Sequence, residues 1–172
     1  MISVRNLNHT LRLILFIVLA LLIAIAIFVV STNAQTLRSA PPAQVNALAP
    51  DKPIFNNYRG VTIGMPVAEA HQKLGMPTES AETQDFYFYS ETESAQVFYD
   101  AAHKVRAVSV NYLGENAPTP QQVLGVDVAA GPDGSLSKII SYQQAGFWVA
   151  YYRSAGPAPI VTVSMQRIVT AQ

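Results

Sequence analysis

The chain has 172 residues and no cysteine. That absence excludes disulfides, thiolate metal centres and a cysteine nucleophile. It also removes the thiol that would carry a bacterial lipoprotein's lipid. Charge of either sign is scarce as well. Eleven basic residues balance eleven acidic ones. A surface built for nucleic acid would show a basic excess, so no nucleic-acid partner is expected. No serine stands in Gly-x-Ser-x-Gly, and there is neither a phosphate loop nor a dinucleotide glycine motif.

One long apolar run is present. From Leu13 to Val30 the chain reads LILFIVLALLIAIAIFVV, without charge, glycine or proline. Its length is close to the roughly 20 apolar residues that cross a bilayer. It also lacks the polar stripe of a buried core helix. Arg5 and Arg12 precede it and place residues 1–12 in the cytoplasm, although Arg38 and Lys52 beyond it weaken the bias. The run therefore reads as a signal anchor that holds the rest of the chain outside. The alternative is cleavage near Ala34, after the small residues Thr32 and Ala34, giving a secreted protein. Residues 31–52 carry Pro41, Pro42 and Pro50 without apolar periodicity and read as a flexible linker.

Residues 53–172 read as an α+β domain. Val67, Ala70, His71 and Leu74 share one face of a short helix, opened by Pro66 and closed by Gly75 and Pro77. Strand patterns follow at Phe86–Ser90, Ala95–Asp100 and Val105–Leu113, with AAHK as a hairpin loop. The order then recurs. Thr119 caps a helix with Pro120 in its first position and Leu124–Gly125 at its end. Strands are expected at Ser137–Tyr142, Phe147–Arg153 and Pro159–Ile168. A period of about 50 residues suggests an internal repeat. The expectation is two αβββ repeats, 55–113 and 118–169, with the short helices packed on antiparallel sheet. The sheets lie side by side or join.

The stretch YRGVTIGMPVAEAHQKLGMPTE, followed by a strand and VFYDAAHKVRAVSV, resembles the SmpA/OmlA-type outer-membrane assembly proteins. It is similar too to the tandem-repeat β-lactamase inhibitor proteins of like fold. The positions that carry the resemblance are Gly64, Leu74, Gly75, Pro77, Tyr87, Phe98, Asp100, Lys104 and Val105. It covers Tyr58 to Leu113, with a looser echo from Pro118 to Ile168. It implies a protein-binding role on this fold. The lipobox cysteine is missing, and Pro66 stands where the family commonly has a helix-opening hydroxyl, so neither the lipid anchor nor a particular target carries over.

Ionisable residues give little chemistry. Glu69 and His71, two apart on a helix, point to different faces and make poor co-ligands. His71 reads as a packed or boundary residue and His103 as part of a solvated turn, while His9 precedes the apolar run. The segment DVAAGPDGS holds too few regularly spaced oxygens for calcium, and Pro132-Asp133-Gly134 reads as a turn. Glu79, Glu82, Asp85, Glu91 and Glu93 form an acidic run that reads as a solvated edge or, failing that, as a surface that steers a basic partner. No catalytic residue, metal ligand or cofactor is expected.

The aromatic residues give the candidate site. Strand parity places Phe86, Phe88, Phe147, Val149 and Tyr151 beneath the helices. It places Tyr87, Tyr89, Trp148 and Tyr152 on an uncovered sheet face, where tyrosine and tryptophan serve as partner-binding anchors. The bland counterpart is that a second layer, a dimer or a membrane covers them, or that a bulge shifts the parity. The expected function is a membrane-anchored, non-enzymatic binding module of the cell envelope, whose partner is an envelope protein or another envelope component. The alternative is an exported enzyme or small-ligand sensor with a pocket between the repeats.

Overall fold

The computed structural model describes residues 52 to 169, Glu115 excepted, and these fall within one unit. Helix α1 (Val67–Leu74) precedes strands β1 (Glu79–Ala81), β2 (Gln84–Ser90), β3 (Glu93–Tyr99) and β4 (Val105–Leu113). Helix α2 (Pro120–Leu124) precedes β5 (Leu136–Tyr142), β6 (Phe147–Arg153) and β7 (Ile160–Arg167), with one 3-10 turn at Gln143–Ala145. All seven strands join one antiparallel sheet in the order β1-β2-β3-β4-β7-β6-β5.

This corrects the expectation of an α+β fold of two αβββ repeats. The helices have eight and five residues, too few to form a layer, and the described region is essentially all-β. The strands form one sheet because β4 and β7 pair directly, from Ala107↔Gln166 to Leu113↔Ile160. Pairing satisfies the backbone groups that each would otherwise leave open at an edge. The added strand β1 is exposed throughout, so hydrophobic alternation gives no sign of it. Among the described residues no helix is long and apolar enough to cross a membrane. The span expected from Leu13 to Val30, the residues before it and the linker up to position 51 lie outside the described residues.

Local chemistry explains why the helices are brief. Pro66 stands at the head of α1 with no side-chain cap bond, and Gly75 ends it at φ +84°. In α2, Thr119 and Gln122 form a reciprocal capping box: Thr119 Oγ1 accepts from the Gln122 amide at 3.3 Å, and Gln122 Oε1 accepts from the Thr119 amide at 2.8 Å. Gly125 then turns left-handed at φ +72° and closes the helix.

The sheet has one covered face. Residues opposite one another across it include Tyr87, Ala95, Val110, Val163 and Tyr151, all buried, and next to them Val97, Val108, Met165 and Val149. Val61 and Met65 from the entering segment, Ala70 and Leu74 from α1, and Val123 and Leu124 from α2 complete this core. A fully buried valine or leucine side chain contributes about 1.5–3 kcal/mol by leaving water. The opposite face carries the other half of each strand's residues.

Candidate functional site

The opposite face is ordered by the register. One row runs Phe86, Gln96, Ser109, Ser164, Ala150, Ile139 from β2 to β5. The next runs Phe88, Ser94, Asn111, Thr162, Tyr152, Ser137, and the third Gln84, Phe98, Ala107, Gln166, Trp148, Ser141. The central strands β4 and β7 thus present small and uncharged polar residues. Aromatic side chains flank them on both sides: Phe86, Phe88 and Phe98 on β2 and β3, Trp148 and Tyr152 on β6. Phe88 is 43% exposed, Tyr152 45% and Ile139 60%. From β2 to β5 no row contains a charged residue; on β1, Glu79 lies opposite Phe86 at the end of the first row. The Arg106 guanidinium lies 5.7 Å from the Phe98 ring centre.

Polar groups of this floor are partly spent on one another. The Ser109 and Ser164 hydroxyls lie 2.9 Å apart, and Thr162 Oγ1 donates to Asn111 Oδ1 at 2.8 Å. The Asn111 amide nitrogen and the side-chain amides of Gln96 and Gln166 make no hydrogen bond among the described residues. Ser94 is buried here, and its hydroxyl has no partner among the described residues.

The four residues expected to share an uncovered face do not share one. Trp148 is half-buried and Tyr152 exposed on the open face, while Phe147, Val149 and Tyr151 point into the core. In β2 the parity is the reverse of that expected. Tyr87 is buried on the covered face and Tyr89 half-buried beside it, while Phe86 and Phe88 face outward. Tyr87 lies opposite Ala95, which leaves room for the ring, and the flanking polar residues of β3, Ser94 and Gln96, lie opposite Phe88 and Phe86. Tyr87 and Tyr89 stack with ring centres 5.9 Å apart at 7°. The Arg59 guanidinium sits 4.1 Å from the Tyr89 ring centre and Tyr58 meets that ring edge-on at 6.3 Å.

Two polar clusters lie on the covered side. In the first, Asp85 is 1% exposed and its carboxylate accepts from Ser80 Oγ at 2.6 Å, Tyr99 Oη at 2.5 Å and His71 Nε2 at 2.6 Å. Burial pushes this carboxyl up, but the three donors outweigh it and hold it below the usual range. Burial and the adjacent carboxylate push the Tyr99 phenol well above its ordinary value. Ser80 and His71 both bond the carboxylate. Activating a hydroxyl nucleophile needs the imidazole between hydroxyl and carboxylate, and here the carboxylate stands between the other two. The cluster pins α1, β1, β2 and β3 together.

In the second cluster Glu93 accepts from Tyr58 Oη at 2.6 Å and from Arg59 Nη2 at 3.0 and 3.1 Å. Burial, then the Glu93 carboxylate, raises the Tyr58 phenol far above its ordinary value. The acidic run is therefore not one solvated edge. Glu79, Glu82 and Glu91 are exposed, whereas Asp85 is buried and Glu93 half-buried, each with partners.

Elsewhere Asp100 accepts from the Lys104 and Ala102 amides at 3.0 Å each and from Arg167 Nη1 at 2.7 Å, closing the β3–β4 loop in which His103 is exposed with φ +54°. Asp133 Oδ1 accepts from the Ser135 amide at 3.0 Å and its hydroxyl at 2.7 Å, an ordinary turn bond. Among the described residues no three His, Asp or Glu side chains come together as metal ligands. No family model, no curated protein and no solved structure matches the chain.

Proposed function

We propose that this chain is a non-enzymatic binding module of the cell envelope. The apolar run from Leu13 to Val30 anchors it in the membrane, and the sheet domain presents its open face outside the cytoplasm. The observation that supports this reading is the open face itself: an uncharged floor with Phe88, Trp148 and Tyr152 left in contact with solvent while the other face is closed. Exposed rings flanking polar groups are suited to binding, because they offer large contact area at low entropic cost. The resemblance to SmpA/OmlA-type proteins agrees with a binding role and supplies no partner. The Asp85 cluster, with its hydroxyl and imidazole both turned to the carboxylate, gives no support to an exported enzyme.

Site-directed photo-crosslinking in cells tests the reading. A photoreactive side chain at Phe88 or Tyr152 of the full chain is expected to capture an envelope component. The same group at Glu69 or Gln72, exposed on α1 across the sheet, is expected to capture none. Equal capture from both faces, or none from either, overturns the open face as the working surface. Mass spectrometry of the native protein tests the anchor: a mature N-terminus at Gln35 replaces it with secretion.

A further inference from the structure

We propose that the ligand of the open face is an uncharged oligosaccharide, lying across the central strands with sugar rings against the flanking aromatics. The inference rests on the binding role above and names the chemistry of its partner. Its ground is the order of polarity across the sheet. A protein–protein interface usually has an apolar centre and a polar rim. Here the order is inverted, with Ser109, Ser164, Asn111 and Gln166 in the centre and Phe88 and Trp148 towards the sides. A partner with an apolar centre would leave the Asn111 amide nitrogen and the Gln96 and Gln166 amides desolvated without partners, which opposes binding.

An oligosaccharide reverses that cost. Its hydroxyls both donate and accept, so they match groups that are themselves neutral and two-way. The Asn111 amide nitrogen and the Gln96 and Gln166 amides are unspent among the described residues. The faces of sugar rings carry C–H groups and stack on aromatic rings, as bases do on single-strand-binding platforms. From β2 to β5 the rows hold neither anion nor cation, and the charges beside them, Glu79 next to Phe86 and Arg106 by Phe98, are single and of opposite sign, which disfavours a strongly charged polymer. From β2 to β6 the floor spans four strand steps, about 19 Å at the usual strand spacing, so several linked sugars fit where one does not fill it.

The test uses the full chain in a detergent without a sugar headgroup. The probes are the hexasaccharides of N-acetylglucosamine and of β-linked glucose, each against its monosaccharide. Trp148 is the chain's single tryptophan, so its fluorescence reports contact on this face. A saturable shift with a hexasaccharide below about 1 mM, absent with the monosaccharide, is expected. By calorimetry, Trp148→Ala and Gln166→Ala should each weaken binding at least tenfold, with Glu69→Ala unchanged and melting temperatures within a few degrees of wild type. No binding of either hexasaccharide overturns the inference, as does binding that both open-face variants leave intact. If photo-crosslinks from Tyr152 join a polypeptide and neither sugar competes, the oligosaccharide is wrong while the binding role stands. If no crosslink forms from this face and no sugar binds, both fail.

Discussion

The two faces of the sheet are made by the same strands and differ in almost every respect. On the covered face the carboxylates are paired, Asp85 with three donors and Glu93 with both Tyr58 and Arg59, while the hydroxyls of Tyr87, Tyr89 and Tyr142 have no partner among the described residues. On the open face, polar groups are many, uncharged and only partly paired. The difference follows from water. A buried carboxylate must gather partners to be tolerated at all, whereas a serine at a wet surface needs none. Aromatics stand on both faces, so ring content alone does not mark the working side. Tyr87 serves the core and Trp148 the surface.

The largest test of this asymmetry uses adjacent residues in β6. Phe147 is buried and Trp148, one position on, is half-buried on the other face. Phe147→Ala should destabilise the domain by about 3–5 kcal/mol, since the ring leaves a cavity that cannot fully collapse. Trp148→Ala should cost no more than about 1 kcal/mol, because only part of the ring is out of water. Chemical denaturation of both variants measures the gap. Equal losses would mean that something covers the open face too.

A middle-sized effect is expected at Asp85. Asp85→Asn keeps the shape but removes the charge that three hydrogen bonds serve, and should cost about 1.5–3 kcal/mol near neutral pH. The carboxyl is held below its unfolded value of 3.8 in the folded state. Between that value and the lower folded one, the unfolded chain binds the proton more readily. This stabilisation is therefore present above pH 3.8 and lost as pH falls through the folded value. The difference in stability between wild type and variant should narrow in acid. A constant difference from pH 7 to below 3 would show that charge is not what the cluster uses.

The same residue marks where the sequence was legible and where it was not. Strand positions are readable because alternation persists: Val105–Leu113 and Phe147–Arg153 are strands over the same residues that the pattern indicates. Which side of β2 faces the core is not readable from its own residues, since phenylalanine and tyrosine alternate and an aspartate shares the tyrosine side. Ranking Phe as more apolar than Tyr selects the wrong face. The next strand holds the missing signal. In β3, Ala95 and Val97 alternate with Ser94 and Gln96, and antiparallel pairing puts Tyr87 and Asp85 opposite the apolar pair. Asp85 reads as solvated because its partners, Ser80, His71 and Tyr99, come from three different elements. The joining of all strands into one sheet through β4 and β7 is a tertiary choice that neither strand's pattern encodes.

The smallest effect concerns the polar pair at the centre of the open face. Ser109 and Ser164 lie on neighbouring strands with their hydroxyls 2.9 Å apart, and both are only half-buried. Removing one hydroxyl with Ser109→Ala breaks that bond. On a wet surface a water molecule takes the vacated place, so the net loss is one exchangeable hydrogen bond, about 0.5 kcal/mol or a little more. On a sealed surface Ser164 would be left desolvated without a partner, and the loss would rise to about 1–3 kcal/mol. Denaturation midpoints of Ser109→Ala, Ser164→Ala and the double variant separate the cases. Small, nearly additive losses keep the floor open to solvent and available to a ligand. Single losses near 2 kcal/mol, largely cancelled in the double variant, would show the floor closed and remove the contrast between the two faces.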